Sequence, residues 1–100
     1  MAFVHLHNHT EYSLLDGLTH IKDMVRRAAE LDMPAVAVTD HGVMSGMVEL
    51  SDACDAVEKE TGKRGKPIFG CEVYFTPDES LRKDVKPKLY HLLLLAKNNE

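Results

Sequence analysis

The stretch Met33-Pro34-Ala35-Val36-Ala37-Val38-Thr39-Asp40-His41-Gly42 decides the fold of this 100-residue chain. Ala35 to Thr39 is a nearly continuous run of small apolar residues with no polar alternation, the pattern of a strand covered on both faces, as in parallel sheets. Pro34 closes the turn before it. Thr39-Asp40-His41-Gly42 brings polar groups to its carboxyl end, where α/β folds gather ligands and catalytic groups. Towards the amino terminus, the spacing of Ile21, Met24, Val25 and Ala28 predicts a helix from about His20 to Asp32, with Thr19 as its cap. Before it lies a polar loop from His7 to Gly17, and before that Phe3-Val4-His5-Leu6 reads as a first strand. Towards the carboxyl terminus, Met47, Leu50, Cys54 and Val57 form the inward stripe of a second helix from about Gly46 to Thr61. Ser45 is its expected cap and Gly62 its C′ residue. Residues 63–66 make a basic, glycine-containing connector. Two further strands are expected at Pro67 to Phe75 and about Leu89 to Ala96, joined by a polar loop from Thr76 to Lys88.

The order β-α-β-α-β-loop-β predicts an α/β fold with right-handed crossovers and a parallel or mostly parallel sheet, open or closed into a barrel. Two helices cannot cover both faces of a four-stranded parallel sheet. The expectation is therefore a truncated piece of a larger domain, ending after the fourth strand, with a bare sheet able to self-associate. Hydrophobic residues at 44% and charged residues at 28% are globular values and exclude disorder or a collagen-like chain. The longest apolar run, Leu92 to Ala96, is too short to cross a bilayer, so neither a membrane span nor a secretory signal is expected. A net charge of −4 argues against gripping nucleic acid by bulk electrostatics. Two cysteines are too few to staple a secreted domain, which points to a reducing cytoplasm.

Six histidines in 100 residues is the unusual number. In His5-Leu6-His7-Asn8-His9 the imidazoles recur at every second position, so strand geometry would set them on one face, and neighbouring rings can converge on one ion. His7 and His9 are the stronger candidates; a solvated strand end is the alternative, and the favoured one for His5. Asp16, beside Gly17, suits a turn or a reach back to the same site. Asp40 and His41 sit at the end of the buried strand. Asp40 can bind metal directly, orient His41, or simply open a turn. Glu72 is acidic inside the otherwise apolar run Ile68-Phe69-Gly70-Cys71-Glu72-Val73-Tyr74, where an unpaired charge is costly and a cation is one remedy. Its parity groups it with Ile68, Gly70 and Tyr74. His91 opens the last strand, near its amino end and so at the wrong end for the usual site, which by itself favours a satisfied core or rim histidine. His20 reads as surface and Cys54 as core. A phosphate-binding glycine loop, a Ser-His-Asp set and a paired Cys-x-x-Cys motif are all missing from the sequence.

In order and spacing, His5 to Gly17, Met33-Pro34-Ala35, Thr39 to Gly42, Ile68 to Tyr74 and His91 to Asn98 resemble the amino-terminal PHP (polymerase and histidinol phosphatase) domain of bacterial replicative DNA polymerase III alpha subunits. The resemblance spans nearly the whole chain and is weakest between Thr76 and Lys88. It implies a distorted, TIM-like (β/α)7 barrel of mostly parallel strands with helices outside, of which residues 1–100 are the first part. It implies a metal site on His7, His9, Asp16, His41, Glu72 and His91, with Asp40 in support and His5 outside the set. Up to three divalent ions are expected, zinc or manganese, with iron or magnesium as further candidates. The family's later ligands, a cysteine and an Asp-x-His pair, would follow Glu100, so residues 1–100 alone are expected to be inactive. For the parent protein the resemblance implies a DNA-directed DNA polymerase in the bacterial cytoplasm, with DNA, other replisome subunits and a proofreading exonuclease subunit as partners. The PHP domain itself would be a 3′ to 5′ exonuclease or a structural platform. The rival readings are a freestanding PHP phosphoesterase, such as a histidinol or nucleotide phosphatase, and a non-catalytic, metal-stabilised interaction module.

Overall fold

The computed structural model describes residues 3–13, 17–76 and 89–99. Two helices, α1 (Ile21–Glu30) and α2 (Met47–Thr61), accompany three strands: β1 (Ala35–Val38), β2 (Lys66–Phe75) and β3 (Tyr90–Leu95). The sheet order is β1-β2-β3. All four residues of β1 are buried, as its unbroken apolar run requires. It pairs parallel with the first part of β2, from Ala35 opposite Lys66 to Val38 opposite Phe69. The ten-residue β2 continues past the end of β1 and there pairs antiparallel with β3, from Gly70 opposite Leu95 to Phe75 opposite Tyr90.

The antiparallel β3 departs from the expected mostly parallel sheet. A parallel return needs a crossover, usually a helix, and no apolar helical stripe separates β2 from β3 in the sequence. The expected first strand at Phe3 to Leu6 is also not formed as a strand. Residues near it dock on β1 through Asn8. The Thr39 N–H donates to the Asn8 carbonyl at 2.9 Å, the Asn8 N–H donates to Thr39 Oγ1 at 2.9 Å, and the Asn8 side-chain amide donates to the Ala37 carbonyl at 3.0 Å. A side-chain amide and a hydroxyl thus take positions that a regular ladder would give to backbone groups.

The helices fall where periodicity puts them, but their amino ends differ in chemistry. His20 and Gly46 occupy the N-cap positions, without a side-chain cap, instead of Thr19 and Ser45. At the far end of α2, Gly62 adopts a left-handed φ of 75° and donates its N–H to the Glu58 carbonyl, the C′ role expected of it.

Both helices pack on the sheet face that carries Val36, Val38 and Phe69. Ile21, Val25, Ala28 and Ala29 of α1 meet Leu50, Ala53, Cys54 and Val57 of α2, with Met24, Met33 and Met47 at the margin. Alanines at 28, 29 and 53 let the helices approach closely. The opposite face of β2 carries Gly70, Glu72 and Tyr74 and has no helix over it among the described residues. That leaves the carboxyl end of the sheet open for polar groups.

Leu50, fully buried between the helices, tests this packing. Leu50→Ala should destabilise the chain by about 2 to 5 kcal/mol, read as a lower urea midpoint with an unchanged slope.

Candidate metal centre

Glu72 is the centre of the site. It is 5% exposed, and its backbone is clamped to the segment leaving β1: its N–H donates to the Asp40 carbonyl and its carbonyl accepts from Gly42 N–H, both at 3.0 Å. This gives His41 a parallel bridge to Glu72 beyond the end of the regular ladder. The polar tail of β1 is thereby delivered beside the acidic residue of β2.

Three other histidines arrive from two directions. Along residues 7–9 the side chains alternate, so that Asn8 bonds to β1 while His7 and His9 reach Glu72. His7 Nε2 lies 2.8 Å and His9 Nε2 2.6 Å from Glu72 Oε2. From β3, His91 Nδ1 lies 2.8 Å from Oε1, and His41 Nδ1 stands 3.7 Å from Oε2. The rings crowd one another, with centroids 4.1 Å apart for His9 and His41 and 5.0 Å for His41 and His91. Hydrogen bonding from His7 is the largest influence on the carboxyl. Together with His9, His91 and the nearby His41, it outweighs desolvation and holds Glu72 at about 2, well below its usual range.

His91 explains itself once β3 is antiparallel. Reversal puts its amino end at the carboxyl end of β2, opposite Tyr74, so the position that argued against a site role in an all-parallel sheet becomes the right end. His5 turns instead towards Phe3, with ring centroids at 4.7 Å. His20 is at the surface, with its Nδ1 2.9 Å from Glu11, and Cys54 is in the core. Asp16 lies outside the described residues.

Asp40 supports the site from beneath. It is fully buried and accepts from Thr10 N–H at 2.6 Å, Thr10 Oγ1 at 2.8 Å and Ser13 Oγ at 3.0 Å. Ser13 Oγ in turn accepts from the His41 N–H at 2.9 Å. Asp40 therefore ties the loop after His9 to the backbone of His41. Thr10 and Ser13, both buried, are the parts of this arrangement that sequence reasoning missed. Their one sequence signal is hydroxyl residues just past the histidine run.

The donors form two groups around one shared carboxylate, His7-His9-Glu72 and His41-Glu72-His91, with the ligand atoms of each within 4.8 Å of one another. Bond lengths near 2.0 to 2.2 Å put donors on one ion roughly 3 to 4 Å apart, so both groups suit a divalent cation. Imidazole and carboxylate donors without thiolate differ from the sulfur-rich set of a structural zinc.

A mixed α/β sheet with a histidine and carboxylate cluster at its strand ends defines a class of proteins with strand-end metal sites. Residues 5–100 match the PHP domain family, and the chain belongs to that family. It is 46% identical over 99 residues to the DNA polymerase III subunit alpha of Helicobacter pylori strain 26695, a match covering 99% of this chain and 8% of that protein. The subunit of the same name from Treponema pallidum is 41% identical over 101 residues, covering 98% of this chain and 8% of the relative. The one from Deinococcus radiodurans is 40% identical over 108 residues, again 98% and 8%. The chain thus spans only a small part of these relatives. Among solved structures, a protein from Bifidobacterium adolescentis described as a metal-dependent phosphoesterase superposes with a TM-score of 0.54 at 26% identity, over 90% of this chain and 25% of that one. Among the described residues, no helix is long and apolar enough to cross a membrane.

Two outcomes follow from the buried acids. Asp40→Ala, which strands the loop donors, should cost about 2 to 4 kcal/mol in urea unfolding. Glu72 has a lowered carboxyl, so its ionisation adds stability that is fully present above its ordinary value of 4.5 and lost as pH falls towards about 2. In metal-free protein, the stability gap between wild type and Glu72→Gln should narrow across that window, as followed by circular dichroism.

Proposed function

We propose that residues 1–100 are the amino-terminal part of the PHP domain of a bacterial DNA polymerase III alpha subunit, and that this part supplies His7, His9, Asp16, His41, Glu72 and His91 to a divalent metal cluster, with Asp40 in support. The observation that carries the metal reading is the convergence of four imidazoles on one buried carboxylate. Identity of 46% across nearly the whole chain supports the parent assignment.

Zinc or manganese, up to three ions in the complete domain, would lower the pKa of a bound water and neutralise charge on phosphoryl oxygens, the requirements for phosphodiester hydrolysis. The protein's part is to present neutral imidazoles and a carboxylate that stays ionised. With its two oxygens directed to different histidines, Glu72 serves both donor groups. Asp40 keeps the loop after His9 in place and, through Ser13, the backbone of His41. The substrate in this reading is a DNA 3′ end. DNA, other replisome subunits and a proofreading exonuclease subunit are the partners of the parent, in the bacterial cytoplasm. Nucleotide transfer belongs to the rest of the parent chain. The likeness to a protein described as a metal-dependent phosphoesterase favours hydrolysis over a purely structural role.

Mass spectrometry of chelator-free protein tests the metal reading. Wild type should carry zinc, manganese or iron, and the His7→Ala, His9→Ala double variant should lose most of it. Metal without hydrolysis of single-stranded DNA by the complete parent would establish the platform role. Equal metal in wild type and variant would remove these histidines from the site.

A further inference from the structure

Tyr74 has no part in the core and is 54% exposed, yet its ring stands beside two of the site's histidines. It lies two residues beyond Glu72 on the same face of β2 and directly opposite His91 across the antiparallel pairing. Its ring meets His91 edge-on, with centroids 5.4 Å apart and planes at 78°. It lies nearly parallel to His41, at 6.4 Å and 15°. Both separations fall in the attractive range for aromatic pairs. On its other flank, Gly42 adopts a φ of +65°, and a Cβ there would come within 3.2 Å of the tyrosine Cε2. The same Gly42 N–H holds the Glu72 carbonyl. A residue at ease with a left-handed φ therefore lets the segment after β1 close on β2 beside the tyrosine ring.

Resting on the metal reading above, we infer that Tyr74 is a positioning residue for the His41-Glu72-His91 donor group and not for the His7-His9-Glu72 group. The two groups are held by different means. His7 and His9 flank Asn8, whose hydrogen bonds to β1 fix that segment. His7 and His91 both have half-exposed side chains, and freezing such a side chain onto an ion costs rotamer entropy, but of the two His91 has the Tyr74 ring beside it. The tyrosine ring, in contact with both His91 and His41, restricts them beforehand and so reduces that cost. The contacts belong to the ring, so the hydroxyl is dispensable for this role.

Cobalt(II) titration, followed by visible absorption and by equilibrium dialysis, separates the possibilities. Tyr74→Phe should bind cobalt as wild type does. Tyr74→Ala should weaken one class of sites by about tenfold, the scale of an aromatic pair. Tyr74→Leu, which keeps apolar bulk without the ring, should behave like the alanine variant and guards against a folding defect in it. In a His91→Ala background Tyr74→Ala should have no further effect, whereas in a His7→Ala background its effect should persist, a coupling that a general structural role would not produce. Unchanged binding in Tyr74→Ala, wild-type binding in Tyr74→Leu, or an equal loss in both histidine backgrounds would overturn the inference. Failure of the wild type to bind cobalt at all would instead overturn the metal reading on which it rests.

Discussion

A carboxylate buried in the middle of a sheet must be compensated, and the compensation of Glu72 organises the carboxyl end of this molecule. Its backbone joins the tail of β1 to β2, and its side chain gathers imidazoles from residues 7–9, from the end of β1 and from β3. These pieces of chain have little else in common. None is long enough to bury a core of its own, and residues 7–9 are not even part of a regular strand. The stable body of the protein, two helices on one sheet face, lies on the other side and leaves this end for polar work.

The two buried acids illustrate a division of labour decided by what surrounds them. Asp40 is satisfied by hydroxyl and amide donors from its own neighbourhood, groups that hold a loop and do little else. Glu72 is satisfied by histidines, whose nitrogens can exchange a shared proton for a metal ion. Similar burial therefore yields a structural acid in one case and a candidate ligand in the other. The support provided by Asp40 nevertheless reaches the site, because Ser13 passes it on to the backbone of His41. Preorganisation of this kind is what keeps a set of crowded imidazoles from relaxing into separate, solvated positions.

Much of this was legible in the residues. The unbroken Ala35 to Val38 run announced a fully buried strand, the helical stripes announced which side chains would meet, and the histidine run and the lone acid in an apolar strand marked the site. The first-strand reading at Phe3 to Leu6 failed because its composition suits a strand, while the bonds that would complete the ladder are taken by Asn8 and Thr39. The caps at Thr19 and Ser45 failed because capping preference competes with local closure, and the chain enters each helix one residue later.

What the sequence by itself determined is local: which segments are apolar on one face, and which positions carry ligand chemistry, because both follow from side-chain type and period. What only the tertiary structure decided is convergence and direction. Strand β3 pairs antiparallel with β2, and that reversal alone turns His91 from a residue at the wrong end into a neighbour of Glu72. Pairing direction depends on hydrogen bonds between segments far apart in the chain, and no periodicity within either strand encodes it.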